Sequence, residues 1–191
     1  MQPEYENLKT LIAQLTSAER EEELDPFLIM AHMLITPHDH VADIGCGPGF
    51  FSIPMAKYLT YGQLHAIDVR EEMLEVTRRR VTEARLGNVR ISRYSHAEFP
   101  IEEGSLDGVM VAFVLHQTEN KVGLMKAARE LLKPRGWCTV LELYRRDTGE
   151  GPPTSVRIGP SEMEGIAKDA GFQFQGWRDI NGRDYMATLR R

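Results

Sequence analysis

Three glycines at every second position, Gly45, Gly47 and Gly49, follow an apolar run that carries an acid near its end, Asp43. Bare backbone of this kind suits a sharp bend or a ligand lying on the main chain, because a Cβ would collide with either. An apolar pattern resumes at Phe51, Ile53, Met55 and Ala56, so the order reads strand, tight loop, helix. Such a loop turns N–H groups at a helix N-terminus toward a bound molecule. A dinucleotide fingerprint needs its third glycine three residues after the second, with a pyrophosphate on the N–H groups there. This chain has Phe50 at that place, and Pro48 removes one donor. No Gly-Lys-Ser or Gly-Lys-Thr follows, which excludes a P-loop. Two readings remain: a close-approach loop for a nucleoside whose tail need not be a phosphate, with Asp43 facing something cationic, or a tight turn without a ligand.

A second acid, Asp68, ends the next apolar run about twenty residues on, where a carboxylate can accept two hydrogen bonds from ribose hydroxyls. Asp68 equally suits an N-cap for the helix that opens at Arg70. Farther along, Leu106 to Ala112 is apolar apart from Asp107, as a strand buried in a parallel sheet must be. It runs into Phe113-Val114-Leu115-His116-Gln117, at the strand end where open α/β sheets hold ligands. His116 there can take a proton from a bound hydroxyl, or can shape the pocket.

These elements need a sheet to hold them. Strands and helices alternate from His40 to Leu143, which predicts a doubly wound, mostly parallel α/β sheet. Asn181-Gly182 between Phe172–Trp177 and Asp184–Leu189 predicts a hairpin, and so an antiparallel last strand. Before the sheet, residues up to Pro37 read as two helices. Leu8, Leu11, Ile12 and Leu15 share a face of the first, and the second opens at Asp25-Pro26 and is apolar on most sides. A helix from about Asn120 to Leu132 stops at the turn signal Lys133-Pro134-Arg135-Gly136, and Ser161 to Glu164 reads as a capping box. Arg145 to Pro160 is the one long irregular segment, a lid or substrate contact or else a merely mobile loop.

Length and composition set the outer limits. The chain has 191 residues, 42% hydrophobic and 27% charged, which fits one domain: a helical segment 1–37 and an α/β core 38–191. A net charge of −5 and a pI of about 5.7 give no general attraction for nucleic acid. Arg78-Arg79-Arg80 lies among Glu75 and Glu83 and reads as a solvated, ion-paired helix face. His38-Asp39-His40 lacks further ligands, so no metal is expected, and two cysteines make no disulfide framework. No apolar run is long enough to span a membrane and no leader is evident, so a cytoplasmic location is the expectation.

Taken in order, Val41 to Phe51, Ala66-Ile67-Asp68 with Met73, Leu106 to Val111, Phe113 to His116 and Ala128 to Gly136 resemble the class I S-adenosylmethionine-dependent methyltransferases. The likeness is strongest to the small-molecule branch that includes ubiquinone/menaquinone methyltransferases. It implies a seven-stranded Rossmann-like sheet and S-adenosyl-L-methionine as cofactor, with a methyl group passed to a small-molecule acceptor. In its terms Asp43 and the backbone of Gly45, Cys46, Gly47 and Gly49 hold the methionine end, and Asp68 holds the ribose. Val69, Met73 and Ala97 take the adenine, with His96 or Glu98 at its amino group, and Phe113 lies close by. Tyr144, His116 and the N-terminal helices form the acceptor wall, the last either as a cover over the pocket or as packing for the core. His96 departs from the family, which commonly has an acid there. An NAD-type oxidoreductase and a non-catalytic cofactor-binding protein are the alternatives.

Overall fold

The computed structural model describes residues 8–95, 97–146 and 151–191. Seven strands form one sheet: β1 (His40–Ile44), β2 (Gln63–Asp68), β3 (Val89–Arg93), β4 (Leu106–Ala112), β5 (Leu132–Leu143), β6 (Gln173–Asp179) and β7 (Asp184–Arg190). Their order is β3-β2-β1-β4-β5-β7-β6. The pairs from β3 to β5 are parallel, while β7 runs antiparallel between β5 and β6. The expected seven-stranded sheet with a reversed last strand is thus the observed one. The reversal needs a tight turn: Gly182 takes φ +77°, and its N–H and that of Arg183 bond to the side chains of Asp179 and Asn181.

Alternation along the strands divides the core in two, because successive side chains point to opposite faces. Ala42, Ile44, Val109, Val111, Cys138 and Val140 pack on one face, beneath α6 (Lys121–Leu131) and α7 (Pro160–Asp169). Val41, Met110, Trp137 and Leu141 pack on the other, beneath α3 (Pro26–His32) and α4 (Ser52–Tyr58). On that second face α5 (Glu71–Glu83) lays Leu74 against Ala66 of β2. The strand order reverses between β1 and β4, so the loops after these two strands part to opposite faces and leave a crevice at their carboxyl ends.

Four local details differ from the sequence-based expectation. The N-terminal segment has three helices, α1 (Leu8–Leu15), α2 (Ala18–Glu23) and α3, because the Ser17 hydroxyl caps the acidic run at the Arg20 N–H. The Lys133–Gly136 turn is a bulge inside β5, with Arg135 at φ +67° and a register shift against β4. Helix α7 starts earlier than the capping box predicts, with Gly159 as N-cap and Pro160 in the first turn, so Ser161 lies inside it. Helix α3 is only partly covered: Ile29 and Met30 are buried, but Phe27 and Leu28 stand more than half exposed.

Candidate cofactor and acceptor site

The amides of the glycine loop are all spent inside the protein. Gly45 and Cys46 both donate to the carbonyl of Ile67, Gly49 donates to Cys46, and Gly47 donates to Asp68 Oδ2 at 2.9 Å. Pro48 has no N–H. Every amide from Gly45 to Gly49 is therefore either engaged inside the protein or lacking its hydrogen, and a diphosphate would find no donors there. Gly45, Gly47 and Gly49 all adopt positive φ, from +54° to +81°. A Cβ on Gly45 would stand 2.3 Å from Val114 Cγ2, whereas one on Gly47 would meet nothing within 4 Å. Gly45 is thus closed by packing, and Gly47 presents bare backbone to open space.

Two residues missed in the sequence brace this loop from α5. Thr77, fully buried, donates its hydroxyl to the Gly47 carbonyl at 2.8 Å, and Arg80 reaches the Pro48 carbonyl at 2.8 Å. The expected solvated face of α5 holds for Arg78 and Arg79, which pair with Glu71 and Glu83, while Arg80 turns inward. The signal was Thr77's place on the apolar stripe of Met73, Leu74 and Val81, where a hydroxyl needs a partner.

The two acids differ in how they are held. Asp68 is 5% exposed and accepts from the Gly47 and Arg70 amides, one on each oxygen, both at 2.9 Å. Each oxygen keeps a lone pair for a ligand hydroxyl. Asp43 is 2% exposed and accepts a single hydrogen bond, from Ser52 Oγ at 2.5 Å. Burial, with Asp68 close by, pushes its pKa up to about 7. A carboxyl in that state ionises readily when a cation arrives beside it. Burial also raises the Cys46 thiol, which stays protonated.

These groups line one cavity of about 800 Å³. Its floor is Asp43, Gly45, Cys46, Gly47, Asp68 and Val69, and Phe113 forms a side wall with Phe50, Phe51, Ala112 and Val114. Phe113 carries φ +58°, an uncommon conformation for a bulky residue, and its carbonyl accepts from Gln117 Nε2 at 2.8 Å. Residues Thr10, Leu11, Gln14 and Leu15 of α1 and Arg20 of α2 cover the mouth. Of the two roles open to the N-terminal helices, covering the pocket is the one seen for α1 and α2. Core packing falls to α3.

The other expected residues lie outside the lining. Gly49 backs onto Thr77, Met73 is wholly buried in the first turn of α5, and Ala97 sits at φ +60° beyond β3. His96 is outside the described residues. The structure does not bring His116 or Tyr144 into the cavity. His116 Nδ1 meets Glu142 Oε2 at 2.8 Å, and its N–H donates to Oε1 of the same fully buried carboxylate. Tyr144 packs its ring on Trp177 and Tyr185, with the Arg146 guanidinium 4.6 Å from its centre. Among the described residues of the 145–160 segment none lines the cavity; Arg157 fastens it to the carbonyls of Arg146 and Pro152. Asp39, beside the two histidines, clamps Thr36 and Trp137, and no cluster among the described residues could hold a metal ion.

A methyltransferase domain family matches residues 41–136, the stretch that carries the glycine loop, both acids and the β4 rim. The chain belongs to this family, the class I S-adenosylmethionine-dependent methyltransferases. Among its relatives, the demethylmenaquinone methyltransferase of Listeria monocytogenes is 29% identical over 135 residues, covering 70% of this chain and 55% of that protein. That of Staphylococcus aureus is 30% identical over 115 residues, 60% of this chain and 47% of that protein. The chain therefore spans about half the length of these curated relatives. In fold it is similar to a SAM-dependent methyltransferase from Aquifex aeolicus, with TM-score 0.90, 22% identity and coverage of 95% and 97% of the two chains. The cyclase SpnF shares the architecture at TM-score 0.77 and 17% identity, over 88% and 81%. One fold carries several chemistries, so function rests on the site.

Proposed function

We propose that this chain, as one domain, transfers a methyl group from S-adenosylmethionine to a small-molecule acceptor by in-line displacement. The observation that carries the reading is the donor-free glycine loop beside a carboxylate fixed by two amides. It suits a charged thioether nucleoside and rejects a diphosphate, which weighs against the oxidoreductase alternative. When bound, the cofactor supplies a methyl already activated on a sulfonium. The protein's part is alignment, and fixing two reactants in line can supply several kcal/mol, of order ten at most.

In this reading Asp68 receives the ribose hydroxyls, and bare Gly47 lets the cofactor lie on the backbone. Asp43 and the loop from Gly45 through Cys46 to Gly49 serve the methionine end. Val69 takes the adenine and Phe113 closes the cavity beside it, while Met73 and Ala97, outside the lining, bear on it only indirectly. The relatives' names, together with Phe50, Phe51, Phe113 and Tyr94 in the lining, point to an aromatic, quinone-like acceptor. His116 and Tyr144 act by positioning. Glu142 grips both the ring and the backbone of His116, and so fixes the 115–117 turn that places Gln117 against Phe113.

Calorimetry with S-adenosylhomocysteine tests the reading, with NADH as the rival titrant and a panel of hydroquinones for methyl transfer. Binding of the first, and labelled methyl on a hydroquinone, are expected. Heat with NADH alone would overturn it.

A further inference from the structure

Arg20 is an anomaly in this cavity. Its guanidinium carbon lies 5.0 Å from the centre of the Phe50 ring and 5.3 Å from that of Phe113, so the cation is held by two aromatic faces at the mouth of the pocket. Its Nε is buried and has no hydrogen-bond partner, the one such side-chain nitrogen or oxygen among the described residues. Buried donors are nearly always paired, and a desolvated charge is costly until an opposite charge joins it. Burial pulls its pKa down from the usual value, yet a guanidinium stays protonated in proteins. The two acids whose charge reaches it are already engaged: Glu23 by Arg183, and Asp184 by Asn181 and Arg183. Arg20 itself lines the cavity that holds the glycine loop.

We propose that Arg20 is the anion-docking residue of this site, placed between Phe50 and Phe113 to grip an ionised oxygen of a bound molecule through its planar fork of N–H donors. The inference rests on the methyltransferase reading, within which two sources carry such an oxygen. One is the α-carboxylate of the cofactor, the other an ionised hydroxyl of an aromatic acceptor. Either would satisfy Nε and turn an unpaired cation into a charge-assisted pair. The residue reaches the cavity from α2, so docking the anion also draws the helical cover down over the reacting groups.

The test compares wild type with Arg20→Met, which keeps an apolar stem against the two rings, and Arg20→Lys, which keeps charge but loses the fork. Calorimetry uses S-adenosylhomocysteine and 5′-methylthioadenosine, which lacks the carboxylate. A cofactor partner predicts that Arg20→Met binds S-adenosylhomocysteine at least tenfold more weakly and methylthioadenosine unchanged. An acceptor partner predicts unchanged binding of both and at least a tenfold rise in KM for the hydroquinone, with Arg20→Lys only partly restored in either case. Arg20→Met gives up the contacts of the cation with the two rings but also removes a buried charge with an unpaired donor, so the ligand-free melting temperature changes little. Equal affinities and equal KM in all three proteins overturn the proposal. Failure of wild type to bind either nucleoside would instead sink the underlying methyltransferase reading.

Discussion

The floor and the cover of the cavity are built on different principles. In the floor, α4 buries Ser52 through Ala56, and the loop before it is tied by backbone hydrogen bonds to β2 and braced from α5. In the cover, α1 and α2 contain no buried residue at all. A segment with few buried apolar contacts opens locally at low free energy, whereas one locked into the core opens only with the whole fold. The floor is thus a preformed cradle and the cover a part that can part and reclose. This division suits a site whose nucleoside is always the same and whose second reactant must enter and leave.

The largest predicted effect strikes the floor. Gly45→Ala sets a Cβ against Val114 at a positive φ, and should cost about 3 kcal/mol of stability and abolish cofactor binding. Denaturant melts and calorimetry would show it. Gly47→Ala, facing open space, should lose binding with a smaller loss of stability. If both variants fell equally in stability, the distinction between packed glycine and ligand-facing glycine would be wrong.

Next comes Asp68→Ala, which leaves the Gly47 and Arg70 amides without acceptors and should cost roughly 2 kcal/mol. It should also remove the rise in melting temperature that S-adenosylhomocysteine gives wild type.

Asp43 sharpens the comparison through pH. Its folded pKa of about 7 exceeds that of an unfolded carboxylate, so the folded state holds a proton that the unfolded chain has lost. Stability without ligand therefore falls as pH rises between about 4 and 7. A cationic ligand favours the ionised form, so cofactor affinity rises over the same range and binding releases protons below pH 7. Asp43→Asn should flatten both trends, melting higher than wild type at pH 8 and about equally near pH 4, while binding more weakly. Melts across pH would sink this account if the variant tracked wild type.

A smaller effect is expected behind the rim. His116→Asn should lower activity only a few fold and leave the pH–rate profile in place, as befits a positioning residue; a loss of a thousandfold with a shifted profile would make His116 the base. The smallest is in α5's solvent face, where Arg79→Ala removes a 3.9 Å exposed pair and should change stability by less than about 0.5 kcal/mol.

The floor was legible in the chain because its chemistry is local. Glycine spacing, Pro48 and an acid at a strand end fix a bare, donor-poor loop within a dozen residues. The sheet, with its reversed last strand, followed from alternation and from Asn181-Gly182. The brace and the cover were not legible, since Thr77 lies 30 residues from Gly47 and Arg20 lies 30 from Phe50 and 93 from Phe113. His116 illustrates the converse. Its position at the end of β4 was readable, but its ring direction was decided by Glu142, 26 residues away.

The amino-acid sequence by itself determined the class of fold and the bare, donor-poor backbone at the cavity floor, because periodicity and glycine are properties of neighbouring residues. Only the tertiary structure decided which side chains enter the cavity. Strand order brings distant ends together, and burial then forces each polar group either to find a partner, as Glu142 and Thr77 do, or to wait for one, as Arg20 does.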